Sequence, residues 1–214
     1  MKTDNGANIL NDTCSFIARF CVFPTPACLH AVTLWAAHTH MINKLHTTPR
    51  LVLTSVEPGS GKTLVLDILN TLCFRPLMVV MPSPAAVFRA ADGCKPTFLF
   101  DETDGIFGVK GKDASQADLA ALINSGYRKG ATVPRCHGKE FKIQNHDVFT
   151  AVAMAGLHDL PPAVKSRSIL ISMRPKKANE QVEAYRPRKH DACGHSIQVR
   201  LRKWALEIGK DVGD

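Results

Sequence analysis

The stretch Leu51-Val-Leu-Thr-Ser-Val-Glu-Pro-Gly-Ser-Gly-Lys-Thr63 decides the fold of this chain. Its first six residues are an apolar run with β-branched members, which predicts a buried strand over 51–56. A glycine-rich turn over 57–63 follows, and helical spacing of apolar residues then runs from 64 to 73. A tight loop that opens a helix turns several backbone N–H groups toward one point, where they can surround phosphate oxygens. We therefore predict a phosphate loop over 57–63, with the nucleotide-binding residues Pro58, Gly59, Ser60, Gly61, Lys62 and Thr63.

The side chains that end this loop have separate predicted roles. Lys62 is expected to reach the β- and γ-phosphates of a bound nucleotide, and the Thr63 hydroxyl to complete a Mg²⁺ shell. The sequence departs from the pattern G-x-x-x-x-G-K-[ST] at one position, because Val56 stands where the first glycine is expected. Pro58 and Gly59 are expected to shape the loop in its place.

A second motif supplies carboxylates. The short apolar run 97–100 predicts a buried strand, and Asp101-Glu102 follow it directly. Ligands of open α/β sheets gather at the carboxyl ends of the strands, so both motifs are expected to meet there. Asp101 is predicted to hold Mg²⁺, mostly through water, and Glu102 to orient or deprotonate the water that attacks the γ-phosphate.

The rest of the chain alternates predicted strands and helices, which indicates a mostly parallel sheet with helices on both faces. We predict an α/β fold, a three-layer P-loop NTPase sandwich with an inserted β-hairpin and N-terminal packing helices. The expected parts are an N-terminal helical segment over 1–48, the core over 49–175, and a basic segment with a terminal helix over 176–214. The remaining predicted elements are helices at 9–22, 27–45, 84–91 and 197–208, a helix capped by Asp113 or Ser115 that runs to 125, and a helical turn or helix at 160–165. Strands are predicted at 77–81, 148–155 and 168–173, and hairpin strands at 132–135 and 140–143.

Phosphoryl transfer also needs positive charge near the departing γ-phosphate. Arg167, in the turn Leu160-Pro-Pro-Ala-Val-Lys-Ser-Arg167, is the candidate. The order of phosphate loop, acidic strand end, core strand and this turn resembles AAA+ ATPases, whose subunits insert such an arginine into the next subunit's nucleotide site. The alternative is a basic residue at a helix end that the helix dipole favours. The polar residue that AAA+ proteins place at the tip of the core strand is not assigned, and His158 and Asp159 are its candidates.

A closer resemblance covers most of the chain. The sequence looks like an uncharacterised P-loop, AAA+-like ATPase family of actinobacteria and their phages. Members are often found near, or fused to, primase-polymerase or helicase modules, which implies work in DNA replication or recombination. The motifs that carry the resemblance are 57–63, Asp101-Glu-Thr-Asp104, Ile106-Phe107, Asn124-Ser-Gly-Tyr-Arg-Lys-Gly130, Arg135-Cys136, Ala155-Gly-Leu-His-Asp-Leu160 and the upstream Trp35-Ala-Ala-His-Thr-His40 and Thr48-Pro-Arg50.

Charge and cysteine content bear on partners and compartment. The formal net charge is +8, and the segment 165–203 holds 11 Lys or Arg against three acids. Such a block attracts nucleic acid by counterion release, although a basic solvated segment is also common in proteins that bind none. Seven scattered cysteines, no secretory signal and no apolar run long enough for a membrane favour the cytoplasm of a bacterial host.

The histidines carry weaker signals. His38 and His40 stand two apart on a predicted helix, so they cannot form a two-ligand metal face, and we expect one to be packed and the other solvated. His190, Cys193 and His195 offer three metal-ligating groups within six residues, without a fourth partner. A metal site there is a weak prediction.

The leading hypothesis is a Mg²⁺-dependent ATP hydrolase that assembles into a homo-oligomer through Arg167 and touches nucleic acid with its C-terminal block. Glu102, Lys62 and Arg167 are the predicted catalytic residues, and Thr63 and Asp101 the predicted metal ligands. ATP is favoured over GTP because the chain lacks an Asn-Lys-x-Asp motif. Two alternatives stay open: a non-catalytic nucleotide-binding protein that docks on a host replication complex, and a small-molecule kinase.

Overall fold

The computed structural model describes residues 5–80, 83–101, 107, 114–137, 142–156 and 160–209. A five-stranded parallel sheet is at its centre, in the order β2, β3, β6, β1, β7, and an antiparallel hairpin of β4 and β5 stands apart from it. The strands are β1 (Arg50–Thr54), β2 (Pro76–Val79), β3 (Thr97–Phe100), β4 (Thr132–His137), β5 (Lys142–Asp147), β6 (Val152–Gly156) and β7 (Ser168–Ser172). The helices are α1 (Gly6–Ala18), α2 (Pro26–Thr39), α3 (Lys62–Leu72), α4 (Pro84–Cys94), α5 (Ala114–Ser125), α6 (Pro162–Lys165) and α7 (Pro187–Ile208), with a 3₁₀ turn at Ile42–Lys44.

Helices cover both faces of the sheet, which confirms the predicted α/β three-layer sandwich. Successive residues of β1 face opposite sides, so Leu51 and Leu53 pack with α1, α2, α3 and α7, whereas Val52 packs with α4 and α5. All three are at most 2% exposed. Burial on both faces explains why the central strands β1, β3 and β6 are nearly continuous apolar runs in the sequence.

Local sequence sets where several helices begin. Thr25 accepts a hydrogen bond from the backbone N–H of Cys28 at 3.3 Å and precedes Pro26, the first residue of α2. Ser83 and Pro84 repeat this arrangement at the start of α4. The serine or threonine satisfies an N–H that lacks a helical partner, and proline brings a preset φ.

Several predicted boundaries are wrong. α1 ends at Ala18 rather than at 22, and α2 ends at Thr39 rather than at 45. The terminal helix begins at Pro187, ten residues before the predicted start, because its first turns pack through His190 and Gly194 rather than through an apolar stripe. Gly194 lies against Thr71 of α3, where a Cβ would come within 2.7 Å of the threonine Cβ. The hairpin strands are also longer than predicted, so the core strand begins at Val152 and not at 148.

Across the described ranges, every helix is too short or too polar to traverse a lipid bilayer.

Candidate nucleotide site

The phosphate loop lies between β1 and α3, at the carboxyl end of the central strand. Gly59 and Gly61 both have left-handed backbones, with φ of 73° and 84°. A Cβ placed on either glycine would meet no atom within 4 Å, so the space in front of the loop is open. Gly61 caps α3, and the first N–H groups of that helix therefore point toward the same open space.

The Lys62 ammonium is held at the loop by two buried hydroxyls. It donates hydrogen bonds to Ser55 Oγ and, at 3.3 Å, to Ser60 Oγ. Ser55 in turn donates to the backbone oxygen of Glu57 at 2.7 Å and so closes the turn that leads into the loop. Ser55 was missed by the sequence reasoning, because a serine after a strand has no distinctive signal.

The position of the Val56 side chain explains why the loop can depart from the glycine pattern. Its side chain is 98% exposed, so it projects into solvent and away from the loop interior. The backbone at this position is not in the left-handed region, where only glycine would be free of strain. A valine is therefore tolerated where the general pattern has a glycine.

Thr63 and Asp101 come from different elements and meet beside the loop. The Thr63 hydroxyl lies 3.3 Å from Asp101 Oδ1. Asp67, one turn further along α3, has a raised pKa because of burial first and the charges of Asp101 and Asp191 next. A second carboxylate close to Asp101 makes the neighbourhood attractive to a cation. Glu102 lies outside the described residues.

The donor set at this point fits Mg²⁺. Mg²⁺ takes oxygen ligands and, at phosphate sites, uses one or two protein groups together with phosphate oxygens and water. Thr63 and Asp101 supply one hydroxyl and one carboxylate. Within the part of the chain that the structure describes, no cluster of three or more His, Cys, Asp or Glu is present, and the Mg²⁺ chemistry of such sites needs none.

A pocket of about 380 Å³ opens beside the phosphate loop. We call it the loop pocket; Gly59 and Gly61 form one side, and Leu64 of α3 adds apolar surface. The opposite walls come from distant parts of the sequence, the segment 20–22 after α1 and the segment 182–185 before α7. Phe20 and Tyr185 meet edge to face with ring centroids 4.9 Å apart. A planar aromatic group fits such a wall.

Glu183 joins the two distant walls of the loop pocket. Its carboxylate accepts hydrogen bonds from Arg19 at 2.7 Å and from Lys189 at 3.2 Å, and it lies 3.0 Å from His190 Nε2. Its backbone N–H also donates to the oxygen of Arg19 at 2.9 Å. The hydrogen bond from Arg19, followed by that from Lys189, lowers the pKa of Glu183 to about 2. The walls are thus held together by a carboxylate that is ionised at neutral pH.

Arg167 lies at the other end of the sheet. Its backbone oxygen accepts a hydrogen bond from the N–H of Arg50, the residue at which β1 begins. The phosphate loop follows the other end of β1, and this strand is about 16 Å long at 3.3 Å per residue. The guanidinium donates to the backbone oxygen of Asn124 at 2.7 Å and lies 4.5 Å from the ring centroid of Tyr127. Arg167 therefore does not reach the phosphate loop of its own chain.

The tip of the core strand and the basic block complete the set of predicted residues. β6 ends at Gly156, paired with Thr54, and the candidates His158 and Asp159 lie outside the described residues.

Several cations of the basic block contact internal acids: Arg174 with Glu180, Lys189 with Glu183, and Arg200 with Asp12. Arg186, Arg188 and Lys203 are exposed.

The comparisons with known proteins concern the fold. No protein-family profile matches this sequence, and no curated protein is significantly similar to it. The X-ray structure of JCV helicase is similar, with 17% identity and a TM-score of 0.49, covering 95% of this chain and 58% of that chain. A second structure, JCV helicase bound to a thiazolopyridinyl-phenoxy-phenyl acetamide, has 17% identity and a TM-score of 0.47, covering 97% and 60%. This chain thus spans less than two thirds of the length of those helicase chains.

The strand order and the loop together define the class. A parallel sheet ordered β2, β3, β6, β1, β7, with a glycine-rich loop between its strand β1 and the following helix, is the fold of P-loop NTPases. The chain has this fold.

Proposed function

We propose that the protein is a Mg²⁺-dependent ATP hydrolase. The observation that carries the proposal is the approach of the Thr63 hydroxyl to Asp101 Oδ1, 3.3 Å apart, directly beside the Lys62 ammonium and the open N-terminus of α3. These are the oxygen ligands and the positive groups that a metal-bound triphosphate needs. The loop pocket supports the proposal, because it opens beside Gly59 and Gly61 and has an aromatic wall against which a base can pack.

The chain's own groups divide the work. The loop amides and the α3 N-terminus bind phosphate oxygens, and Lys62 exchanges its serine partners for the β- and γ-phosphates. Thr63 and Asp101 would hold Mg²⁺, which withdraws negative charge from the phosphate oxygens when bound. Glu102 remains the predicted group that orients or deprotonates the attacking water.

The arginine that the γ-phosphate needs is proposed to come from a second copy of the chain. Arg167 is remote from its own phosphate loop, so a role in turnover requires a neighbouring subunit. Its guanidinium is already bonded to Asn124 and packed on Tyr127, which positions it on the surface of the sheet's amino end. An oligomer that acts in DNA replication or recombination, and that contacts nucleic acid through exposed cations of the C-terminal block, is the proposed setting.

The test compares nucleotide binding with turnover. The purified chain is expected to bind a fluorescent ATP analogue and to release phosphate from ATP only with Mg²⁺ present. Lys62→Ala is expected to lose both, whereas Glu102→Gln is expected to keep binding and to lose turnover. Lys44→Ala, which removes an exposed cation far from the loop, is the matched control and keeps both.

Each other outcome has a meaning. Unchanged binding and turnover in Lys62→Ala would show that the loop is not the nucleotide site. Binding that depends on Lys62 without any turnover would replace the proposal with the non-catalytic nucleotide-binding protein. Phosphate transfer to a small molecule in preference to water would favour the kinase alternative.

A further inference from the structure

A second cavity lies at the opposite end of α3 from the phosphate loop. Its volume is about 370 Å³, and we call it the edge cavity. Phe74 and Arg75 line it from the turn after α3, His40 from the end of α2, and Gln198 and Arg202 from α7. An α3 of 11 residues is about 16 Å long, so this cavity is separate from the nucleotide site.

The edge cavity is cationic and aromatic. The Arg202 guanidinium lies 4.2 Å from the centroid of the Phe74 ring, and that of Arg75 lies 5.1 Å from it. Arg202 donates to the backbone oxygen of His40 at 3.2 Å, and Arg75 to that of Cys94 at 2.8 Å. Each contact uses one nitrogen of a group with five N–H donors, so both arginines retain donors for a ligand. None of the lining residues that the structure describes is acidic.

His40 adds an unsatisfied group. It is 4% exposed, and its Nε2 lies 2.8 Å from the backbone oxygen of Leu72, so Nε2 carries the proton. Burial lowers the pKa of this imidazole to about 4, which leaves the ring neutral at pH 7 and makes Nδ1 an acceptor. Nδ1 is buried and has no hydrogen-bond partner among the described residues.

The expectation that one of His38 and His40 is solvated is wrong, since His38 also forms internal hydrogen bonds, to Trp35 and Thr48.

The backbone at Arg75 is a further departure from ordinary structure. Its φ is 46°, in the left-handed region that a residue with a side chain rarely adopts. Such strain persists where the surrounding structure holds it, and it gathers at functional sites. The turn aims a long cationic side chain at the edge of the sheet next to Phe74.

We propose that the edge cavity binds one nucleotide of a single-stranded nucleic acid. The two guanidiniums bind its phosphates, and the base stacks on the layer formed by Arg202 and Phe74. Stacking on aromatic rings and guanidinium planes is how proteins bind unpaired bases, whereas a base within a duplex cannot enter a cavity. The inference gives the proposed nucleic-acid contact a location, and it does not depend on ATP turnover.

The test measures the binding of a fluorescein-labelled dT12 strand by anisotropy, without ATP. Arg202→Gln and Phe74→Leu are each expected to weaken binding about 10-fold, since stacking and phosphate contacts act together. Arg75→Gln is a third variant, which removes the other guanidinium of the edge cavity. Lys203→Gln is the matched control, because it removes the same charge one residue away on an exposed side chain, and it is expected to weaken binding less than about 2-fold. Melting temperatures establish that each variant is folded.

Competitors identify the source of the nucleotide. Unlabelled dT12 is expected to displace the probe, and equal nucleotide concentrations of dTMP, inorganic phosphate or a 12-bp duplex are not. Equal competition by dTMP would mean that free nucleotide is the ligand, and equal competition by the duplex would mean that the backbone alone is bound; either overturns the proposal.

Two further outcomes decide between the cavity and general electrostatics. Equal losses in Lys203→Gln and Arg202→Gln would overturn the proposal, as would unchanged binding in Phe74→Leu. ATP-analogue binding is measured on the same variants and on Lys62→Ala. If Lys62→Ala still binds the ATP analogue, the proposed ATPase fails while the edge cavity stands. If the cavity variants keep strand binding and Lys62→Ala loses the ATP analogue, the edge cavity fails while the proposed ATPase stands.

Discussion

Gly61→Ala separates the conformational role of the phosphate loop from its role in binding. Gly61 has φ 84°, and a Cβ there would meet no protein atom within 4 Å. The substitution therefore introduces backbone strain without a clash inside the protein. The same Cβ would project into the open space that we assign to phosphate, so nucleotide binding is expected to suffer more than stability.

Gly130→Ala is the matched control. Gly130 has φ 85° and also has no atom within 4 Å of an added Cβ, but it lies in the turn after α5, at the amino end of the sheet. A left-handed backbone costs an alanine about 1–2 kcal/mol. Alanine recovers about 0.4–1 kcal/mol of this by restricting the unfolded chain. Each variant should thus lose about 1 kcal/mol, or about 2–4 °C in Tm for a chain of this length.

Thermal unfolding and titration with a fluorescent ATP analogue provide the measurements. We expect equal decreases in Tm for the two variants, together with a Kd for nucleotide that rises at least about 10-fold in Gly61→Ala, or 1.4 kcal/mol, and stays unchanged in Gly130→Ala. If Gly61→Ala binds nucleotide as tightly as the unaltered chain, phosphate does not sit against this loop. If both variants lose binding equally, the effect is one of stability alone.

Two further predictions concern stability. Because burial lowers the pKa of His40 to about 4, the unfolded chain takes up a proton between pH 6.5 and 4 that the folded chain does not, so stability falls by up to about 3 kcal/mol as the pH decreases through this window. His40→Gln should flatten that decrease in urea unfolding at pH 7 and 4.5, whereas the exposed His30→Gln should not; parallel pH profiles would contradict the assignment. Gly194→Ala should lose about 1–3 kcal/mol in the same assay, because its Cβ would press on Thr71. Gly93→Ala, also helical but with open space around it, should gain about 0.5–1 kcal/mol, and equal effects at the two glycines would refute the packing of α7 on α3.

The sequence predicted those features that depend on neighbouring residues. The strand at 97–100, the helix that opens at Pro84 and the order of strands and helices were all anticipated, because caps, turns and apolar runs act over a few positions. The start of α7 was not anticipated. Residues 187–196 lack an apolar stripe, and they are helical because Gly194 and its neighbours pack on α3.

The candidate sites also combine features that the sequence predicted with contacts that only the tertiary structure shows. The loop over 58–61 and the start of α3 at Lys62 were predictable, since glycine conformations and a helix start are local properties. The meeting of Thr63 with Asp101, the hydrogen bond from Lys62 to Ser55 and the closure of the loop pocket by Glu183 each join separate elements. Spacing along the chain does not encode such distances.

By itself, then, the sequence determined the class of fold and the glycine-rich loop between β1 and α3, because apolar periodicity and glycine placement restrict the backbone locally. Only the tertiary structure decided that Arg167 is remote from its own loop and that Arg75, Arg202 and His40 border one cavity. Both arrangements follow from the pairing of β1 with β7 and from the packing of α7 along α3. These contacts bring together residues that are more than a hundred positions apart in the sequence. The burial of apolar surface selects that packing, and it acts on the whole chain at once.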